Sequence, residues 1–251
     1  MTASNYSVSI SLNQTTIKAL TSSGYSLYTF GAVFCSDSGG QTLVWSINTA
    51  FSANISISWG DGIYAYTASR PIQQSDPIYV GSKSAIELGQ VMNVEAGGIG
   101  EVKNGGVAGG CSILNTTTTE FLCGLCNPVG GAVAPVCVFP LYGGNMQIIA
   151  PCPQIFLMFA TEKFLPATPV ETSYGPGLVV EMSGSANRNV TFDVNQGWAW
   201  GNFAWATAVR ANSNITSLMI RASNTFTLEA EEATRRFQSK SNTIYSNRPG
   251  T

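Results

Sequence analysis

The sequence predicts an all-β protein, an antiparallel β-sandwich of one elaborate or two packed domains with a short C-terminal helix. Three observations carry this expectation. Residues 6–12 (YSVSISL) alternate apolar and polar side chains without a fault, the period-2 signature of a half-buried strand. Residues 25–35 (YSLYTFGAVFC) and 154–159 (QIFLMF) are apolar on both faces, as strands inside a sheet must be. Turn signals separate many such short segments, and no repeat of fixed period links them.

Taken in order, residues 6–12 form the first strand, a turn near Ser22-Ser23-Gly24 follows, and residues 25–35 form a central strand. Residues 36–40 (SDSGG) are a loop and residues 42–47 (TLVWSI) another strand. Residues 54–67 (NISISWGDGIYAYT) give the sharpest local expectation. Asp61-Gly62 tolerates the positive φ angles of a two-residue type I′ turn, so this stretch is expected to close a β-hairpin. Trp59 would then oppose Tyr64, Ile57 oppose Tyr66 and Ile55 oppose Ala68, leaving one apolar face and one hydroxyl-bearing face. Arg70 would fall on the apolar face, and Pro71, which lacks an N–H, would end the second strand. Such strands fall short of the ~9–11 residues that a membrane-spanning strand takes.

Residues 78–80 and 85–94 read as further strands. Residues 97–110 (GGIGEVKNGGVAGG) are half glycine, and no regular element is expected to survive that backbone entropy. They divide residues 1–96, an N-terminal β region, from residues 111–227, a C-terminal β region, and act as loop or connection. Neither G-x-G-x-x-G nor G-x-x-x-x-G-K-[ST] occurs there, which excludes a phosphate cradle of either type. Later strands are expected at 121–126, 132–141, 146–149, 154–159, 178–182, 190–194 and 217–222. Residues 228–251 form a charged tail. Within it, residues 228–240 (LEAEEATRRFQSK) place Glu before Arg and Lys, the charge order that suits a helix dipole.

Composition narrows function. Charged residues are only 10% of the chain, against a usual ~25%, so the surface must be built from Ser, Thr, Asn, Gln and Gly. Little charge repulsion holds copies apart, and a homo-oligomer is expected. A net charge of −2 with no basic cluster in the body excludes nucleic acid as a partner. No basic region followed by an apolar run opens the chain, so no secretory signal is expected. The apolar residues 148–160 are interrupted by Pro151 and Pro153 and are shorter than the ~20 residues of a membrane helix.

The chain contains no histidine. This removes Ser-His-Asp and Cys-His catalysis, histidine-ligated zinc and imidazole acid–base chemistry together. An enzyme would have to rely on carboxylates such as Glu87, Glu95, Glu101, Glu181 and Asp193, as a glycoside hydrolase does. The six cysteines are Cys35, Cys111, Cys123, Cys126, Cys137 and Cys152. Cys123-Gly-Leu-Cys126 has the spacing of a metal-binding or redox pair, but no second close pair completes a zinc site and no βαβ pattern surrounds it. Buried thiols or local disulfides are expected, with neither metal nor cofactor.

Residues 197–205 (GWAWGNFAW) hold three of the five tryptophans. Trp198, Trp200, Phe203 and Trp205 are the expected binding surface; under strand alternation Trp198 and Trp200 share one face, and Phe203 and Trp205 share one face if the strand resumes after Gly201-Asn202. Such rings stack on sugars, sit at membrane interfaces or fill a core. The expected function is accordingly non-enzymatic recognition of a glycan or membrane surface by a self-associating, lectin-like or toxin-like protein. The alternative is a structural subunit of a fibre or shell, and a carboxylate-only glycosidase ranks third.

Overall fold

The computed structural model describes residues 5–69 and 71–246, folded as two packed mixed sheets. Strands take 49% of the chain and helices 13%, which settles the all-β, sandwich-like class.

Strand β1 (Asn5–Leu12) buries Val8, Ile10 and Leu12 as its alternation requires. A helix that was not expected follows, α1 (Gln14–Ser22), whose first turn is capped by the Asn13 side chain accepting the Thr16 N–H. It stops just before Gly24, which takes φ +69°. Strand β2 (Ser26–Cys35) is central and buried on both faces. The strand expected at residues 42–47 is divided. Its start forms β3 (Gln41–Thr42) in the first sheet and its end forms β4 (Ser46–Asn48) in the second, so Trp45 crosses between layers.

The Asp61-Gly62 hairpin does not form. Strand β5 (Asn54–Gly60) pairs antiparallel with β1, setting Ile55 against Ile10, Ile57 against Val8 and Trp59 against Tyr6. Strand β6 (Tyr64–Ala68) continues in the same direction, and neither Asp61 nor Gly62 adopts the positive φ a type I′ turn demands. The alternation of β5 is as expected, but its apolar partner is β1. The row of Tyr64, Tyr66 and Ala68 faces away from that core and packs with Leu43, Ile78, Leu122 and Val138 on the outer face of the sheet. Arg70 lies outside the described residues.

Strand β7 (Ser82–Ala85) pairs with β6, and β8 (Gln90–Val94) joins the second sheet. The strand expected at residues 78–80 is absent; Ile78 is buried and donates its N–H to the Ala167 carbonyl. The glycine-rich segment does hold regular structure, contrary to expectation. A 3-10 turn at Ala96–Gly98 leads into β9 (Gly100–Asn104), which pairs with β8 in an antiparallel ladder. The four residues after Gly100 are free of glycine, while Gly97, Gly98, Gly105 and Gly109 supply positive φ on either side. Glycine here punctuates a strand and does not dissolve it.

Strands β10 (Cys111–Asn115) and β11 (Phe121–Val129) follow. Val129 of β11 pairs with Trp59, and residues 122–126 of β11 pair with β6, so β5 and β6 run end to end along one edge of β11. The type I′ geometry appears instead at Gly130-Gly131, with φ +56° and +85°, which joins β11 to β12 (Ala132–Pro135). Next comes β13 (Cys137–Leu141). The two strands expected at 146–149 and 154–159 are one, the 15-residue β14 (Met146–Ala160), running antiparallel to β2. Its register slips between Cys152 and Ile155, where Pro151 and Pro153 have no N–H to offer.

The chain closes with β15 (Gly177–Glu181), β16 (Asn187–Asp193), β17 (Gly197–Ala199) and β18 (Ala206–Val209). The strand expected at residues 217–222 begins as a helical turn, α2 (Thr216–Met219), before β19 (Ile220–Ala222). The tail forms α3 (Asn224–Ser246), longer than expected at both ends; residues 247–251 lie outside the described residues.

The first sheet runs β17-β16-β1-β5-β11-β13-β3, with β12, β6 and β7 attached; the second runs β18-β15-β14-β10-β8-β9, with β2, β4 and β19 attached. Most ladders are antiparallel. The β1/β16, β8/β10 and β2/β19 pairs are parallel. Segments before and after the glycine-rich stretch enter both sheets. The main core lies between them, and two smaller clusters cover their outer faces.

Candidate functional site: a lateral aromatic wall

Strands β17 and β18 are terminal strands of opposite sheets, so residues 200–205 cross from one layer to the other and wall off one side of the sandwich. The crossing begins at a tight turn. Asp193 accepts the backbone N–H groups of Asn195 (2.8 Å) and Gln196 (3.1 Å) and the side-chain amide of Asn13 (2.6 Å). The Asn195 N–H first, and then the Asn13 amide, hold its carboxyl below the usual carboxylate range.

Trp198, on β17, pairs across from Phe192 of β16. Its indole stacks on Phe159 at 5.4 Å and 25°, leans on Phe192 at 4.9 Å, and donates its Nε1–H to the Pro176 carbonyl at 3.1 Å. The strand ends at Ala199, before Trp200. Gly201 and Asn202 then take φ +74° and +59°, and Trp200 Nε1–H spans the turn to the Phe203 carbonyl at 2.9 Å. Asn is one of the few non-glycine residues to tolerate this conformation.

Phe203 and Trp205 stack at 6.2 Å and 17°. The Arg188 guanidinium lies 4.8 Å from the Trp205 ring centroid, fixed by bonds to the carbonyls of Glu181 and Ser183. The wall thus sorts the four rings. Trp198, Trp200 and Trp205 are half-buried and packed against the main core, whereas Phe203 is 61% exposed.

The other chemical candidates occupy structural positions. All six cysteines are buried free thiols. Cys123 and Cys126, three apart on β11, point to opposite faces, one into the main core and the other into the outer cluster, so they cannot chelate one ion. Burial pushes the Cys126 thiol up to about 12, the opposite of an activated thiolate. Glu101 is paired with Lys103 at 2.7 Å, and Glu181 lies 3.9 Å from Arg221. Among the described residues no group of three or more His, Cys, Asp or Glu side chains could hold a metal ion. Sequence reasoning overlooked Arg188, because a single arginine within NRNVTFD carries no signal that it will cover a tryptophan.

Compared with protein-family models, curated proteins and solved structures, the chain matches none.

Proposed function

We propose that the protein is a non-enzymatic recognition protein that engages a glycan on this lateral wall and self-associates, as lectins do. One observation carries the reading: Phe203 presents an exposed ring on a rigid base, backed by Trp205, which Arg188 in turn covers. An apolar ring fixed in one orientation offers a flat face to the C–H side of a sugar at little ordering cost. Trp198 and Trp200 act here as foundation. The low surface charge suits a neutral ligand, and it lowers the barrier to contact between copies.

Glycan-array binding, with Phe203→Ala as control, tests the reading. Loss of binding in a variant whose unfolding midpoint falls by no more than about 4 °C supports it. Unchanged binding by Phe203→Ala refutes the site, and binding to liposomes but to no glycan would reassign the wall to membrane surfaces. A second reading, a subunit of a fibre or shell, draws on α3. This 23-residue helix is tied to the body through Ala230, which is buried, and through bonds from Thr227 Oγ1 to the Ser36 carbonyl and from the Met146 N–H to Thr234 Oγ1. Removing residues 229–251 would then shift the particle size in sedimentation.

A further inference from the structure

A cleft of about 350 Å³ opens between the sheets, where β1 begins and β5 ends. Two irregularities in facing layers line it. In the first sheet the chain jogs between β5 and β6, and Gly60, Asp61 and Ile63 lie on the cleft. In the second, β14 slips register against β2, and Pro151 and Pro153 line the opposite side. Neither irregularity leaves a ladder straight enough to close the layers upon each other.

Three aromatic rings form one wall. Trp59 stacks on Tyr6 with centroids 5.8 Å apart and 23° between planes, and it meets Trp45 edge-on at 5.8 Å. Trp45 is only 3% exposed, whereas Leu88 at the mouth is 51% exposed, so the cleft leads from solvent to core. The indole N–H and the amide N–H groups of the lining donate to carbonyls of the protein. Trp45 Nε1–H donates to the Asn127 carbonyl and Asn127 Nδ2 to the Gly62 carbonyl, while Gln154 donates to the Leu218 carbonyl and accepts from Arg221. Asp61, the charged residue of the lining, sits in the solvent-exposed jog.

We propose that this cleft binds a compact, predominantly apolar ring compound, one or two rings in size, against Trp59 and Tyr6. The volume lies at the lower end of the ~300–1,000 Å³ typical of ligand pockets. Walls of indole, phenol, proline, Ile155 and Met182 match an apolar ring. A sugar would surrender its water-bonded hydroxyls to walls that are mostly apolar and whose side-chain amide N–H groups already have partners. Neither Phe203 nor Trp205 lines the cleft, so this inference stands apart from the glycan site.

The test is a titration of the full chain with 1-naphthol, followed by tryptophan emission and by the thermal midpoint. Saturable one-to-one binding is expected, with an emission change because Trp45 and Trp59 line the cleft and with no competition from methyl glucopyranoside. Ile63→Trp, which fills the cleft, should weaken binding at least about tenfold. Leu88→Asp, at a half-exposed position, places a charge at the mouth and should weaken binding about threefold without unfolding the chain, which keeps the test decisive if Ile63→Trp does not fold. Phe203→Ala should bind 1-naphthol as the wild type does. Absence of saturable binding, wild-type affinity in Leu88→Asp, or displacement by the glucopyranoside would each overturn the proposal.

Discussion

Truncating Trp198 should cost stability, whereas truncating Phe203 should cost binding, and the two variants together separate foundation from contact face. The Trp198 indole loses three things on conversion to Ala: its stack on Phe159, its contact with Phe192 and its bond to the Pro176 carbonyl. Burial of a whole aromatic side chain is worth about 3–5 kcal/mol on truncation, and Trp198 is half-buried, so about 2 kcal/mol applies. The aromatic contacts add about 1 kcal/mol between them. For a chain of this length a loss of about 3 kcal/mol lowers the midpoint by roughly 6–12 °C. Phe203→Ala removes one stack on an exposed ring, about 1 kcal/mol at most, or roughly 2–4 °C. Calorimetry paired with urea unfolding followed by near-UV circular dichroism reads both. A Trp198→Ala midpoint within about 2 °C of the wild type would refute the packing argument, as would equal destabilisation by the two variants.

Further expectations concern the scaffold. Gly131→Ala, at φ +85° with open space around the added Cβ, should cost about 1–2 kcal/mol of unfolding free energy, the price of a left-handed backbone. Gly62→Ala should cost less than about 1 kcal/mol, because that residue has no positive φ and its new Cβ would press on Pro128 Cγ at 3.3 Å, with Pro128 Cδ and Tyr64 Cε2 at ordinary contact distances of 3.7 and 3.9 Å. The reverse order in urea unfolding would restore the Asp61-Gly62 hairpin. Asn115, fully buried, donates to the Thr119 and Leu141 carbonyls and accepts from Thr117, so Asn115→Ala should lose about 2–4 kcal/mol in the same assay. The Asp193 carboxyl is depressed in the folded state, so its contribution is present above the ordinary carboxylate range and is lost as pH falls through the depressed value. Thermal midpoints measured below about pH 4 should therefore fall less steeply in Asp193→Asn than in the wild type.

Strand identity was legible wherever side chains alternate or fill both faces. The alternation of β1 and β5 is local, and burial followed it. Pairing was not legible, because Ile55, Ile57 and Trp59 match Tyr64, Tyr66 and Ala68 as well as they match Tyr6, Val8 and Ile10. Local turn preference favoured the nearer row, but the longer-range partner won. Helix α1 went unseen because QTTIKALTS shows only a short apolar stripe and three β-branched threonines; its signal was the Asn13 cap. The two strands expected at 146–149 and 154–159 are one because a register shift absorbs Pro151 and Pro153 between them. The aromatic wall was visible as composition. Which ring faces solvent was not, since that depends on a turn at Gly201-Asn202 and on an arginine from a neighbouring strand.

The placement of β1 has a consequence for synthesis on the ribosome. It lies between β5 and β16, and Ser7 bonds to Asn187, 180 positions away. Its first neighbour emerges early and its second only about 180 residues after β1 itself. Until then one side of an apolar, serine-studded strand has no ladder partner, and unpaired strand edges recruit other chains. Closure across such separations is slow. The interval between synthesis of β5 and synthesis of β16 is therefore a window in which the nascent chain exposes an unpaired edge, and the rate of elongation between these two strands sets how long that window stays open.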